Sequence, residues 1–583
     1  SMTVITLGLS GAIGHDPAAA LFVDGELAAA VEEERLIRRK HAYDQTPYLS
    51  ARRCMQIARI NPAQVNQVAI PFAPISLFTK ARWHYAYRHW YAPDRAVDSL
   101  LNGNRRYRRY IAELKKLLEK LQIPADKVKI VSVEHQLAHA SSAYHLDERE
   151  GKTAIFCNDS KGEYSNIFLG YGENGKIERV KEFYNPDSLC GMYAALTDYL
   201  GFEILKGEIK VMGIAPFGDA SKYDLSSLAK FNGKKFKVDN TLIGTVGIRR
   251  YKAKSKGHYF SQKLVDMLGP RRVGNLTDDP YVHYAAAIQK LYEDLSVELI
   301  RHYLSDVLAD TGRLAIAGTG SMNIRLNQRL ANLPEVKELI VHPACSDAGT
   351  AIGAASFAVR QSGTKIKPVT HMFHGPAYTA EQCIEACKSH QDKPLWEVLE
   401  APYEKAAQIL AQGHLLAWYK GRMEFGTRAL GNRSILANPN FPEVVEKINH
   451  QVKFREAWQP YSVCALDSVA EEFIPGEQHD KYMCRAVTAS DSWAEKYPTI
   501  VHVDKSTETQ IVDSLSNPNL HELLLSFQKE TGHGMLINAR LNRPGEALVC
   551  SPEDALSMFL GTDLDYLIME GVLVTKSEPS DEW

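Results

Sequence analysis

The sequence lacks the features that mark a membrane-spanning or disulfide-stabilised protein. No run of about 18 apolar residues occurs among its 583 residues, so we expect no membrane span. Nine cysteines are scattered along the chain, without a zinc-type CxxC pair or a dense disulfide framework. The opening VITLGLS predicts a strand and not the charged and then apolar segment of a signal peptide. These absences favour a protein of the reducing cytoplasm.

An excess of charge of one sign is also missing. Lys and Arg number 68 against 70 Asp and Glu, which gives a formal net charge of -2. The balance gives no global reason to expect nucleic acid or a membrane surface as the partner. The chain also shows no tandem repeat of solenoid length and no low-complexity segment. Its length therefore predicts a small number of globular domains, about two to four.

Two similar strand patterns indicate a duplicated α/β lobe. In AALFVDGELAAAVEEERL, short runs flank Asp24 and Gly25, which predicts a hairpin with a tight turn. The pattern returns in TAIFCNDSKGEYSNIFLGYGENGKIERV. From Gly363 the stretch GTKIKPVTHMFHGPAY, with its proline and glycine, marks a linker. Beyond it, helical YEKAAQILAQG and strands such as HLLAWYKG and DYLIMEGVLVTK predict an α+β domain.

The segment HQLAH offers a candidate metal site. His135 and His139 are four residues apart, so a helix would present both to one metal ion. Spacing alone is more often that of two ordinary helix histidines. Asp159 follows a predicted buried strand, and Asp347 precedes a predicted helix. Two imidazoles and two carboxylates suit Fe(II), Mn(II) or a zinc ion with open positions.

Six motifs, in order along nearly the whole chain, carry a family resemblance. They are GHDPAAALFVDGELAAAVEEERLIRRKH, HQLAHASSAY, MGIAPFG, SDAGTAIGAA, GTRALGNRSILANP and RPGEALVCSPEDAL. Together they resemble the NodU/CmcH-type ATP-dependent O-carbamoyltransferases. The resemblance implies a large actin/sugar-kinase-like N-terminal lobe and a threonylcarbamoyl-adenylate-synthase-like (YrdC-like) C-terminal lobe. We expect a carbamoyl-transfer domain at 1–362, a linker at 363–400 and a carbamoyl-adenylate-forming domain at 401–583.

The resemblance also implies the reaction. The smaller lobe would convert carbamoyl phosphate and ATP, with Mg, into a carbamoyl adenylate. The larger lobe would then pass the carbamoyl group to an acceptor hydroxyl at a mononuclear divalent metal, expected to be Fe(II). Members of the family modify sugars, polyketides, aminoglycosides and cephems. The acceptor is therefore expected to be a small-molecule alcohol of secondary metabolism, such as antibiotic biosynthesis, and its identity is open.

The resemblance places named residues in this chemistry. The metal positions fall on His135, His139, Asp159 and Asp347, and the active-site turn falls on His15 and Asp16. His15 is the candidate base that takes the proton of the acceptor hydroxyl. A histidine that only fixes the turn through a backbone hydrogen bond is the alternative.

Further residues are predicted to bind the donor or the nucleotide. In the large lobe, turns in which glycines let backbone N–H groups reach phosphates provide Lys210, Gly318, Gly320, Asn323 and Gly349. Whether this site is catalytic or structural is open. In the small lobe, where cationic forks suit phosphates, the candidates are Arg428, Arg433, Lys453, Arg455, Asn538, Arg540 and Asn542. A basic cluster on a solvated face is the alternative there.

Three positions of the small lobe depart from the family pattern. Gln459 and Glu508 stand where the family has arginine, and Arg540 stands where it has serine. Two hypotheses follow. Either Arg540 supplies the phosphate fork that Gln459 no longer provides, or Glu508 and Arg540 form an ion pair in a pocket for another acyl donor. A sugar-kinase-like phosphotransferase is a further alternative, although it would not need the histidine pair.

An arginine-rich and aromatic segment needs its own interpretation. ARWHYAYRHWYAPDR and NRRYRRYIAELKKLLEK interleave aromatic residues with arginine, as surfaces for single-stranded nucleic acid do. However, YIAELKKLLEKLQI has the periodicity of an amphipathic packing helix. We expect no nucleic-acid partner and interpret residues 82–109 as an acceptor-binding insertion or an interface. A homodimer is left open.

Overall fold

The structure is a computed structural model in two compact units. It describes residues 2–11, 16–74, 80–90, 93–102, 104–146, 151–160, 165–244, 258–453, 455–456 and 459–576. The first unit comprises residues 1–13, 22–26 and 62–369, and the second comprises 14–21, 27–61 and 370–583. Two N-terminal segments thus belong with the C-terminal part of the chain. The boundaries expected at residues 362 and 400 stay a prediction.

The strands before residue 369 form two sheets of the same strand order and one small ribbon. They are β1 Ile5–Ser10, β2 Ala18–Val23, β3 Glu26–Glu32, β4 Gln67–Ile70, β5 Lys129–Ser132, β6 Thr153–Asn158, β7 Ser165–Glu173, β8 Lys176–Tyr184, β9 Ala229–Phe231, β10 Phe236–Val238, β11 Arg313–Ala317 and β12 Glu338–Val341. The sheet orders are β3-β2-β1-β4-β5 and β8-β7-β6-β11-β12, and β9 pairs with β10. In the first sheet β4 is parallel to β1, and β5 is parallel to β4. In the second sheet β11 and β12 continue from β6 in the same way, so the predicted duplication is confirmed.

Helices cover these sheets and connect their strands. Those before residue 369 are α1 Glu33–Ile37, α2 Tyr48–Ala58, α3 Lys80–Arg88, α4 Pro93–Asn102, α5 Arg105–Lys120, α6 His135–His145, α7 Leu189–Tyr199, α8 Glu208–Ile214, α9 Gln262–Leu268, α10 Tyr281–Thr311, α11 Ile324–Ala331 and α12 Thr350–Gln361. Helix α5 buries Tyr110, Leu114, Leu117 and Leu118 on one face, which confirms the predicted amphipathic packing helix. No helix in the described ranges is long and apolar enough to span a bilayer.

Helices α6 and α12 pack at van der Waals distance. Gly353 of α12 lies so close to α6 that a Cβ atom there would be 1.8 Å from the carbonyl oxygen of Ala138. The hydroxyl oxygens of Ser141 and Ser356 are 2.8 Å apart across the same crossing. Small residues therefore allow the start of α12 to approach α6.

We predict that Gly353→Ala lowers the free energy of unfolding by about 1–3 kcal/mol, because the added methyl group must push the two helices apart. Urea unfolding measures the loss. Gly274→Ala is the matched control, since its Cβ would meet no atom closer than 3.7 Å. Equal stability of the two variants would contradict the close packing.

The second unit contains a mixed nine-stranded sheet. Its strands are β13 Leu395–Val398, β14 Leu416–Tyr419, β15 Arg433–Ala437, β16 Val463–Leu466, β17 Ala486–Thr488, β18 Ser506–Val512, β19 Met535–Arg540, β20 Tyr566–Met569 and β21 Val572–Thr575. Its helices are α13 Ala380–Ser389, α14 Pro402–Ala411, α15 Pro442–Lys447, α16 Asp467–Phe473, α17 Asp491–Lys496, α18 Pro518–Thr531 and α19 Pro552–Leu560. The sheet order is β13-β21-β20-β14-β15-β19-β16-β18-β17. The α+β expectation is confirmed, whereas the likeness to threonylcarbamoyl-adenylate synthase stays a prediction.

Apolar clusters cover both faces of this sheet. Because side chains alternate along a strand, Ile537 and Leu536 of β19 belong to different clusters. The face of Leu536 also carries Val512 of β18 and is covered by α14 and α18. Further along this face the same alternation brings polar side chains to the surface of the sheet, at Asn538 and Arg540.

Candidate active site

Four residues of the first unit bring their ligand-type atoms within 4.8 Å of one another: His135, His139, Asp159 and Asp347. His135 Nε2 lies 2.8 Å from Asp159 Oδ2 and 3.3 Å from Asp347 Oδ1. The corresponding distances from His139 Nε2 are 3.2 and 3.7 Å. The structure thus assembles the predicted set, although its members are more than 200 residues apart in sequence.

Local structure explains why these four side chains converge. His135 and His139 are one turn apart on α6, so both rings project from one face. Asp159 directly follows β6, and Asp347 leads into α12, which packs closely on α6. Asp159 Oδ1 is fixed by the Ser160 backbone N–H at 2.9 Å.

The electrostatics and the hydrogen bonding fit a bound cation. Burial alone would lower the pKa of His135, but the carboxylates of Asp347 and Asp159 outweigh it and hold that pKa well above its usual value. Within the described part of the chain, neither ring nitrogen of buried His139 has a hydrogen-bond partner, and neither has Asp347 Oδ1. Buried polar atoms without partners are costly. His139 and Asp347 thus offer unpaired atoms to a divalent metal, and His135 and Asp159, which hydrogen-bond to each other at 2.8 Å, complete a set of two imidazoles and two carboxylates.

The predicted glycine-rich turn lies against the same group. Gly318 has φ of 94°, and a Cβ there would be 2.4 Å from the Asn158 carbonyl oxygen, so only glycine fits. Thr319, between the two predicted glycines, donates its hydroxyl to Asp159 Oδ1 at 2.6 Å. The Gly320 carbonyl accepts a hydrogen bond from Tyr292 at 3.3 Å. The turn thus contacts Asp159, one of the four residues that could hold a metal ion.

The other predicted nucleotide-binding residues of the first unit have different surroundings. Asn323 caps α11 by accepting the Leu326 N–H at 2.9 Å, and it exchanges hydrogen bonds with Gln289. Gly349 lies two residues after Asp347, at the start of α12. Lys210 is half-buried on α8, with its Nζ 5.7 Å from the centre of the Phe202 ring. A role of these residues in binding nucleotide stays a prediction.

Of the two predicted catalytic residues, His15 lies outside the described residues. Asp16 is described in the second unit, and its Oδ1 lies 2.9 Å from His41 Nδ1. Its backbone N–H also donates to the His41 carbonyl at 2.8 Å. Both residues have left-handed backbone, with φ of 56° and 66°. Such strain in non-glycine residues often marks functional turns.

In the second unit a buried carboxylate holds the loop that carries Arg428. Glu424 is fully buried, and its Oε1 accepts the backbone N–H groups of Leu430, Asn432 and Arg433 at 3.0, 2.7 and 3.1 Å. Three convergent donors make this loop a rigid element. We call residues 424–433 the carboxylate-anchored loop.

Arg35 and Glu32 fasten the same loop from its other end. The Arg35 guanidinium donates to the carbonyls of Glu424 and Gly426, and the Gly426 N–H donates to Glu32 Oε1 at 2.8 Å. Arg35 is 1% exposed and pairs with Glu32 at 3.1 Å. The N-terminal segment that carries both residues is thus an integral part of the second unit.

Arg433 has a structural environment and not that of a ligand fork. Its side chain is fully buried, lies 3.7 Å from the centre of the Tyr419 ring and donates to backbone carbonyls such as that of Gly421 at 3.0 Å. A guanidinium whose donors are satisfied in this way stabilises the packing of β14 and β15. This geometry gives no support to its predicted role in donor binding.

Lys453 and Asn542 also contact each other. Lys453 Nζ donates to the Arg540 carbonyl at 2.7 Å, to the Asn542 carbonyl at 2.9 Å and to the Asn542 side chain. Burial, followed by the positive charges of Arg540 and Arg455, holds the pKa of Lys453 well below its usual range. Arg455 lies over the Tyr461 ring at 4.3 Å and donates to a backbone carbonyl. These cations lie close enough together to influence one another.

Arg428 forms an ion pair with Glu508. The hypothesis that Glu508 pairs with Arg540 is therefore wrong. Gln510 of β18 donates to the Leu430 carbonyl at 2.9 Å, so this face of the strand lies against the carboxylate-anchored loop. Glu508 is two residues from Gln510 and therefore projects from the same face. The position of Glu508 on β18 thus places its carboxylate next to Arg428.

Arg540 has no such partner. Among the described residues its side chain makes no hydrogen bond and no ion pair, and its Nε is buried. Asn538, two residues earlier, donates to the Ala429 carbonyl at 3.2 Å, while its own buried Oδ1 is unpaired. Asn538 and Arg540 thus direct unused polar atoms from one face of β19.

Five residues of these sites are not predicted from the sequence: Thr319, His41, Glu424, Glu32 and Arg35. Thr319 lies between the predicted glycines Gly318 and Gly320, and His41 is the last residue of the N-terminal family motif. The charged run VEEERLIRRKH could have identified Glu32 and Arg35, because several charges directly after a strand often include buried pairs. No local signal distinguishes Glu424 from an exposed acid.

Family models match both parts of the chain. The model described as "Carbamoyltransferase N-terminus" matches residues 5–356, and the one described as "Carbamoyltransferase C-terminus" matches residues 407–576.

Curated relatives match at similar levels. An uncharacterized protein of Synechocystis sp. is 29% identical, over 98% of this chain and 96% of its own length. Nodulation protein NolNO of Sinorhizobium fredii is 29% identical, over 99% and 81%. Nodulation protein NolO of Bradyrhizobium diazoefficiens is 30% identical, over 77% and 80%.

Solved structures give weaker matches. Full-length HypF in its phosphate- and nucleotide-bound form overlaps 61% of this chain and 55% of its own, with a TM-score of 0.30 and 10% identity. A ROK hexokinase from Thermus thermophilus overlaps 60% of this chain and 98% of its own, with a TM-score of 0.28 and 13% identity.

Proposed function

Because the chain belongs to the carbamoyltransferase family, we propose that it makes a carbamoyl adenylate and transfers its carbamoyl group to a hydroxyl of a small molecule. Membership of the family confirms the recognised resemblance and makes the protein a transferase. The proposed donors are carbamoyl phosphate and ATP: water releases phosphate from carbamoyl phosphate, and an oxygen of the resulting carbamate then displaces pyrophosphate from the α-phosphate of ATP. Transfer to an alcohol then gives an O-carbamoyl product and AMP.

The observation that carries the proposal is the four-residue metal group beside a glycine-rich turn. His135, His139, Asp159 and Asp347 would hold a divalent ion, for which Fe(II) is our proposal. The chemistry that such an ion supplies when bound is polarisation of the carbamoyl carbonyl. Thr319, through its hydrogen bond, orients the carboxylate of Asp159. The unpaired atoms of His139 support a ligand at this position.

The second unit supports adenylate formation. Its carboxylate-anchored loop presents Arg428, and β19 presents Arg540, for which the described residues provide no ion-pair or hydrogen-bond partner. Cationic forks in a partly desolvated site match the phosphate oxygens of carbamoyl phosphate and ATP. His15 is proposed to accept the proton of the acceptor hydroxyl, and the next residue, Asp16, contacts His41.

The reaction is tested with carbamoyl phosphate, ATP, Mg and a panel of alcohols, by measuring pyrophosphate, AMP and carbamoylated product. We expect pyrophosphate release that depends on carbamoyl phosphate, and AMP formation that increases with the correct acceptor. ADP together with a phosphorylated alcohol would instead identify a sugar-kinase-like phosphotransferase. Pyrophosphate release without a requirement for carbamoyl phosphate would identify an altered acyl donor.

A further inference from the structure

Two arginines of the second unit, Arg428 and Arg540, have opposite electrostatic environments. The side chains of Arg428 and its ion-pair partner Glu508 are 23% and 17% exposed, so the pair is partly buried, and the Glu508 oxygen that faces Arg428 is itself buried. Arg540 has no partner among the described residues, and its Nε is buried. One cation is thus neutralised by the protein, while its neighbour is not.

The unpaired state of Arg540 is unfavourable without a ligand. Burial lowers the pKa of its guanidinium, and the positive charge of Arg35 lowers it further. Glu34 and Glu32 counteract this only in part, and neither forms an ion pair with Arg540. A partly desolvated cation beside other cations is stabilised by an anion that brings its own hydrogen-bond acceptors.

The strands hold Glu508 close to such an anion. Glu508 and Gln510 lie on the face of β18 that continues from core residue Val512, and Asn538 and Arg540 lie on the face of β19 that continues from core residue Leu536. Strand β16 lies between β18 and β19, and a hydrogen bond of 3.0 Å from Asn538 to Gln510 links the two polar rows across it. A carboxylate on this surface competes with any phosphate that approaches Arg428.

We propose that Glu508 is an internal competitor of the ligand: its carboxylate occupies Arg428 until a phosphate group displaces it and binds between Arg428 and Arg540. The proposal rests on the proposed function in taking a phosphate-bearing donor as the ligand. Glu508 thereby weakens the binding of phosphate and favours its release after reaction. Arg540 can bind the phosphate without any carboxylate being displaced first.

A purely structural ion pair predicts different behaviour. If Glu508 only fastens the carboxylate-anchored loop, removing either partner loosens the loop and weakens anion binding alike. If Glu508 competes, the two removals have opposite effects, because one frees a cation and the other deletes it.

The test is calorimetric titration of inorganic phosphate into the full chain. We expect Glu508→Gln to lower the Kd for phosphate about tenfold, which corresponds to about 1.4 kcal/mol. Arg428→Gln and Arg540→Ser are each expected to raise it about tenfold or more. Glu530→Gln, at an exposed position on α18, is the control of equal charge change and should leave the Kd unchanged.

An unchanged or higher Kd in Glu508→Gln overturns the proposal. Should that variant unfold, Glu508→Ala replaces it in the same titration. Arg428→Gln gives a second test, because a Kd for phosphate that this substitution does not raise also overturns the proposal. Phosphate binding requires no turnover. Failure of the proposed function would instead appear as absence of carbamoyl-phosphate-dependent pyrophosphate release in the wild-type protein.

Discussion

Replacing His139 with alanine is expected to remove the bound divalent metal and carbamoyl transfer, while formation of the adenylate continues. His139 is fully buried, and neither of its ring nitrogens has a hydrogen-bond partner among the residues that the structure describes. Its loss therefore deletes one of the four ligand groups. Metal affinity should fall by more than the roughly 10- to 100-fold that is typical when only a residue behind a ligand is changed. His135→Ala should behave in the same way.

The measurement has two parts. Elemental analysis of the purified variant reports the metal content, and separate assays report pyrophosphate release and acceptor carbamoylation. The control is His302→Ala, which removes an exposed histidine of the same unit. Full metal content and unchanged transfer in the His139 variant would refute the metal assignment. Loss of pyrophosphate release as well would refute the division of the two half-reactions between the two units.

Replacing Arg35 with methionine is expected to destabilise the second unit by about 3–5 kcal/mol, because it leaves a buried acid unpaired. Glu32 loses its ion-pair partner, and the carbonyls of Glu424 and Gly426 lose their donor. Methionine keeps most of the side-chain volume, so the loss reflects charge and hydrogen bonding and not a cavity. Chemical denaturation measures it, with exposed Arg52→Met as the control.

The penalty should depend on pH. Burial raises the pKa of Glu32 to about 7, against the opposing charge of Arg35. The folded state therefore binds a proton that the unfolded state has lost between about pH 4.5 and 7, so the contribution of Glu32 to stability falls as pH rises through this window. Without Arg35 the pKa rises further. The variant should lose more stability relative to wild type at pH 8 than at pH 5.5, and an equal loss at both values would contradict the account.

Much of the first unit could be predicted because its signals are local or belong to ordered motifs. The hairpin at Asp24 and Gly25 follows from turn chemistry, and both residues have positive φ as such a turn requires. The histidine pair follows from helical spacing. Asp159 and Asp347 could not be joined to it by spacing, since their proximity depends on how β6 and α12 pack against α6. The motif order supplied that connection.

The cationic site of the second unit was harder to predict because residue type does not reveal burial or pairing. Arg433 and Arg428 are five residues apart in one glycine-rich motif, yet the first donates to backbone carbonyls and the second pairs with Glu508. The register of β18 decides which arginine Glu508 meets. Arg35 lies almost 400 residues from the carbonyls that it binds, which is beyond the reach of any periodicity argument.

The separation of Arg35 from its loop has a consequence for dissecting the chain. A cut in the stretch between α12 and α13 would produce two contiguous fragments, but the second unit is not contiguous. The fragment that begins at residue 370 would lack residues 14–21 and 27–61, and with them both Glu32 and Arg35. It should be unstable alone and recover its fold when the missing peptide is supplied in trans. The chain therefore has an interleaved architecture, in which the second unit cannot be exchanged as one contiguous module.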